Sequence, residues 1–147
     1  MKKIIISTLF SIVYVFCAAQ SKSDIFGEWF NEEKDAVVTI YKDGNSISGK
    51  TTWLKEPLDS KGNAKLDLKN PDEKLRSRKR MGLKIMHSFK YNDQENIWED
   101  GRIYDPKKGK LYGGTATLVN ENELKLKGYI ISMPFLGRTA TWTRKTN

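Results

Sequence analysis

From Phe26 onward, apolar and polar residues alternate in short runs, each stopped by residues that favour turns, and no stretch keeps a helical period. Phe26 to Phe30 predicts a first strand around Gly27-Glu28-Trp29, and the β-branched and aromatic run Ala36 to Lys42 predicts a second. Asp43-Gly44 then predicts a tight turn, because glycine accepts the positive φ a hairpin needs. Ser46 to Leu54 returns with Ile47, Gly49, Thr51 and Trp53 expected on one face. Further along, Leu83, Ile85, His87 and Phe89 are expected to share a face of the next strand. Strands follow over 97–105, 110–119 and about 124–130, with a last one from Gly137 to about Arg144.

Two connections break the pattern. The segment 55–80 is long and charged, and holds Pro57, Gly62 and Pro71. Within it Asn70-Pro71-Asp72-Glu73 reads as a cap, a first-turn proline and acids suited to a helix N-terminus, which predicts a short helix to about Arg76. The second connection, 130–136 (Ile-Ile-Ser-Met-Pro-Phe-Leu), is apolar where the other turns are polar. It reads either as a lid over one end of the domain or as a contact surface for a membrane or a partner. About eight strands with mostly short links imply an all-β fold, an antiparallel up-and-down barrel with one long loop carrying a short helix. A two-sheet sandwich is the competing arrangement.

The first nineteen residues lie outside this scheme. Lys2 and Lys3 precede an apolar run from Ile4 to Phe16, and Cys17-Ala18-Ala19 supplies small residues before a polar segment. This is the pattern of a signal peptide cleaved near Ala19, with residues 20–147 as a single domain in the periplasm or outside the cell. A membrane anchor is the alternative; a lipid-anchored Cys17 is disfavoured because Phe16 stands where processing needs a small residue. Without the leader, 24 basic residues face 18 acidic ones, a formal charge of +6, and no cysteine remains. That excludes disulfides, thiol nucleophiles and cysteine-based metal sites. The basic cluster Lys74, Arg76, Arg78, Lys79 and Arg80 reads first as a solvated loop that aids solubility; as a binding surface in an exported domain it points to lipid head groups, surface polysaccharide or a small acidic ligand, not to nucleic acid.

Catalytic chemistry finds little footing. One histidine and no mature cysteine cannot make a zinc site, and no Gly-x-Ser-x-Gly elbow is present. Glu99 and Asp105 share a strand face that would suit an acid and a base, but Asp100 and Asp105 abut Gly101 and Pro106, where acids commonly serve turns. No metal, cofactor or catalytic residue is expected, and the chain does not read as an enzyme. The aromatic set is more informative, because a barrel of eight strands has room for side chains or one ligand. Gly101, Gly113 and Gly114 are expected to leave space inside the wall. Trp53, His87, Tyr104, Tyr112 and Arg138 are the candidate ligand-binding residues, with Arg138 as an anion anchor for a hydrophobic or amphipathic molecule. His87 could donate a hydrogen bond in the cavity or weaken binding at mildly acidic pH.

Gly27-x-Trp29 resembles the first-strand signature of lipocalins, and Arg144, or else Arg138, matches the basic residue that closes the barrel end over that tryptophan. Trp142 joins Gly27, Trp29 and Arg144 as expected end packing. A wider pattern is more specific: Trp53-Leu54-Lys55-Glu56-Pro57, Leu68-Lys69-Asn70-Pro71-Asp72, Trp98-Glu99-Asp100-Gly101-Arg102-Ile103-Tyr104-Asp105-Pro106 and Gly137-Arg138-Thr139-x-Thr141-Trp142. On these motifs the chain resembles the bacterial family called domain of unknown function 2147, from about Gly27 to Arg144. The resemblance implies an exported protein with a lipocalin-like barrel and brings no activity, substrate or catalytic residue with it. The residues themselves leave two readings, a binding module for a small ligand or an envelope interaction protein whose barrel is a scaffold for the 55–80 loop and the 130–136 connection. Lys79-Arg80-Met81 and Ser132-Met133-Pro134-Phe135 depart from the family pattern, and either departure would bear on ligand or partner preference.

Overall fold

The alternating runs become strands β1 (Gly27–Phe30), β2 (Ala36–Asp43), β3 (Ser46–Leu54), β4 (Lys84–Asn92), β5 (Ile97–Asp105), β6 (Lys110–Asn120), β7 (Glu123–Ile130) and β8 (Met133–Arg144). In the computed structural model, which describes residues 21–146, each strand pairs antiparallel with its neighbours in sequence, and β8 returns to β1. The result is a closed eight-stranded up-and-down barrel; the sandwich alternative is not formed. The leader pattern lies outside the described residues.

One end of the barrel is solid. Trp29, Ile40, Ile47, Phe89, Trp98, Leu118 and Leu124 fill it, each buried apolar side chain contributing roughly 1.5–3 kcal/mol. A single 3-10 turn, Lys22–Ile25, plugs this end: Ile25 is fully buried and its carbonyl accepts from the Trp29 indole N–H at 2.9 Å. The Arg144 guanidinium lies 4.2 Å from the Trp29 ring centroid and donates to the backbone carbonyls of Phe26, Asp24 and Glu121. Gly27 (φ +118°) passes beneath it, and a Cβ there would come within 3.1 Å of the Arg144 side chain. This is the closure expected for Gly27, Trp29 and Arg144.

The long loop is ordered. Backbone bridges Leu58↔Ala64 and Leu66↔Lys79 fold it on itself, and Tyr104 pins it to the outer wall. The Tyr104 hydroxyl donates to the fully buried Asp67 carboxylate at 2.6 Å; Asn70 (2.8 Å) and Arg78 (2.9 Å) donate to the same group. Gly109, at φ +68°, meets the Lys69 carbonyl so closely that any side chain would overlap it. The helical turn is shorter and later than expected, covering Glu73–Leu75. Its cap is Asp72, which accepts from Lys74 N at 3.0 Å, while Asn70 instead accepts from Asp72 N and donates to Asp67.

Segment 130–136 also differs from expectation. It is no lid: β7 and β8 continue into it and turn at Ile131-Ser132. Tyr129 pairs with Gly137 and Ile130 with Met133, so Pro134, Phe135 and Leu136 form a bulge without partners in this ladder. Proline is tolerated there because β1 pairs with β8 only at Trp29↔Arg144 and Phe30↔Thr143 and leaves this part of β8 an edge.

Candidate functional site

Strand alternation sends Val38, Thr51, Ile103, Leu126, Ala140 and Trp142 into the barrel above its solid end, where they wall a cavity of about 630 Å³. The cavity opens at the end that carries the long loop, the β1–β2 and β5–β6 connections and the β7–β8 hairpin. Its room comes from small residues such as Gly128 and Ala140. The other strand glycines are filled, contrary to expectation. The Phe89 ring lies over Gly101 and, with Ile103, over Gly114; the Tyr129 ring covers Gly113.

Charged side chains ring the mouth, most of them paired. Lys65–Glu56 (3.0 Å), Lys107–Asp35 (2.6 Å) and Lys108–Asp105 (3.7 Å) are ion pairs. Partial burial works against the charged form of Asp35, but hydrogen bonds from Lys107 and Asn31 outweigh it and hold its pKa below the ordinary carboxylate value. Arg138 pairs with Glu32 across the seam between β1 and β8, and Glu32 also accepts from the Thr141 backbone N–H at 3.2 Å. One carboxylate thus stitches a gap that a longer β1 would close. Arg80, whose Nε donates to the Leu66 carbonyl at 3.0 Å, and Lys55 line the mouth without a carboxylate partner among the described residues. The site therefore joins apolar walls to two cations free to meet an anion. Among the described residues no group of three or more His, Cys, Asp or Glu side chains converges as a metal site.

A family model described as an uncharacterised protein conserved in bacteria, domain of unknown function 2147, matches residues 27–144. The chain belongs to this family. A solved structure, protein HP1028 from Helicobacter pylori, described as belonging to the lipocalin family, is similar with a TM-score of 0.63 at 20% identity. The match covers 76% of this chain and 73% of that one. No curated protein matches the chain.

In this member of the 2147 family, Tyr112 and Arg138 line the cavity as expected, although Arg138 is engaged by Glu32. Tyr104 reaches only the rim, because its hydroxyl is committed to Asp67 and Asn70 behind the wall. Trp53 is not a cavity residue. The register slips so that Thr51 pairs with Val38 and Trp53 with Val37, which turns Trp53 to the outside, 41% exposed and edge-on to Phe30 at 6.0 Å. His87 is not one either. Register shifts bracket Gly49, and Ser88 takes φ 55°, so Met86 and Phe89 point inward while His87 pairs with Arg102 on the outer face. Its pKa is lowered, first by burial and then by the Lys84 and Arg78 charges. Trp142 belongs to the cavity wall as well as to the end packing. Leu126, Ala140 and Lys55 are site residues that sequence reasoning did not single out, and Arg80 entered it only as one of the basic cluster; the alternation of β7 and β8 carried a signal for the first two.

Proposed function

We propose that this domain is a carrier for one amphipathic molecule with a negatively charged head group, its apolar part held in the barrel and its head at Arg80 and Lys55. The observation that carries this reading is the cavity of about 630 Å³, within the roughly 300–1,000 Å³ range of ligand pockets. Its walls are aliphatic and aromatic, while the mouth offers unpaired cations. An uncharged apolar ligand would leave those cations unused, and a fully polar one would be desolvated against Val38, Leu126 and Trp142 without compensation. The contact is binding and release, with no covalent step. The leader pattern supports an exported domain, where such a molecule would be taken up or handed on outside the cytoplasm.

Trp142 provides the readout. Oleate added to the purified domain is expected to change tryptophan fluorescence saturably, with one molecule per chain by native mass spectrometry. Ala140→Trp, which fills the cavity, should abolish that change, and Arg80→Ala should weaken binding about tenfold, as loss of one charge-assisted contact does. Equal binding by wild type and Ala140→Trp would remove the cavity from the account.

A further inference from the structure

The cavity opens at the same end as an unusual surface. Ile130, Ile131, Met133, Phe135 and Leu136 are all 40% or more exposed, Phe135 to 80%, and all lie on the β7–β8 hairpin tip. Ile130 and Leu136 also line the cavity mouth, so the tip and the opening are continuous. Water is a poor solvent for such a cluster. Charge is distributed along the same axis. Between Lys55 and Arg80 nine residues are basic and five acidic. At the same end Lys107 and Lys108 pair with Asp35 and Asp105, and Arg138 pairs with Glu32, which leaves Glu33 of the β1–β2 acids without a cation partner among the described residues. At the closed end the turns carry Asp43, Asp93, Glu95 and Glu121 instead. Of the acids in the loop, Glu56, Asp67 and Glu73 are in ion pairs, while Lys55, Lys61, Lys69, Lys74, Lys79 and Arg80 have no carboxylate partner among the described residues. An apolar tip beside an excess of free cations complements a surface that is negative outside and apolar beneath, which is an anionic lipid leaflet.

We propose that the mouth end docks on an anionic membrane surface, with the β7–β8 tip inserted among the lipids and the long loop on their head groups. The docking rests on the hairpin and the charge asymmetry. Only its purpose, passage of an amphiphile between leaflet and cavity, rests on the carrier reading. Phe135 and Ile131 are outside the cavity lining, so they separate the two functions.

Flotation with phosphatidylcholine vesicles, with and without phosphatidylglycerol, tests docking directly. Wild type is expected to float with the anionic vesicles, to lose them in high salt, and to stay behind with phosphatidylcholine alone. The double variant Phe135→Ser, Ile131→Ser should lose on the order of tenfold in vesicle binding while its oleate affinity in vesicle-free solution is unchanged. Equal flotation of the variant and wild type would overturn the proposal. So would a wild-type dimer in size-exclusion chromatography that the variant abolishes, since a second copy would then cover the tip. Flotation without any oleate binding by wild type would keep the docking and remove the carrier.

Discussion

Burial of the Tyr104 hydroxyl, reinforced by the Asp67 carboxylate that accepts its proton, raises its pKa from 10 to about 12. The folded state therefore holds this proton more tightly than the unfolded chain. The resulting stabilisation is complete below pH 10 and is lost as pH rises through about 12. Urea midpoints across this window should fall more steeply for wild type than for Tyr104→Phe. Parallel curves would show that the hydroxyl does not couple the loop to the barrel. The motifs that hold Asn70 and Tyr104 were legible in the sequence, but Asp67 and the joint role of the three were not, because the residues stand up to 37 positions apart. Tyr104 reads equally well as a ligand contact until its hydroxyl is seen to be spent on the loop.

Elements were easier to read than faces. Alternation and turn residues locate all eight strands, since a half-buried strand must place apolar groups every second residue. Bulges defeat the next step. The slips near Thr51 and on either side of Gly49 each reverse the faces beyond them, and Ser88 adopts φ 55° although serine carries no signal for it. That is why Trp53 and His87 were expected inside and lie outside. The shortness of β1 is equally silent in sequence, yet it makes Glu32 the fastener of the wall. In Glu32→Ala, the Thr141 amide should lose hydrogen-exchange protection and oleate should bind and leave faster, with a global stability cost under about 1 kcal/mol for these exposed groups. Unchanged exchange at Thr141 would mean the seam holds without Glu32.

At the scale of the molecule, the barrel is divided between a packed half and a hollow half, and its charge follows the same axis. Strand number and short links made the closed barrel legible, because a meander of eight strands removes its edges only by closing. The cavity was legible only as a consequence of strand number, since which half stays hollow depends on inward side chains across several strands. Seven of the eight pairings join strands adjacent in sequence; the eighth joins Trp29 to Arg144 across almost the whole domain. Local hairpins can zip early at small entropic cost, whereas this last ladder must wait until both chain ends meet. Arg144→Ala should therefore cost about 2 kcal/mol, with nearly all of it in the unfolding limb of the chevron and the refolding limb unmoved. A slowed refolding limb would place ring closure in the rate-limiting step. The domain would then live or die kinetically by one short zipper, two residue pairs long.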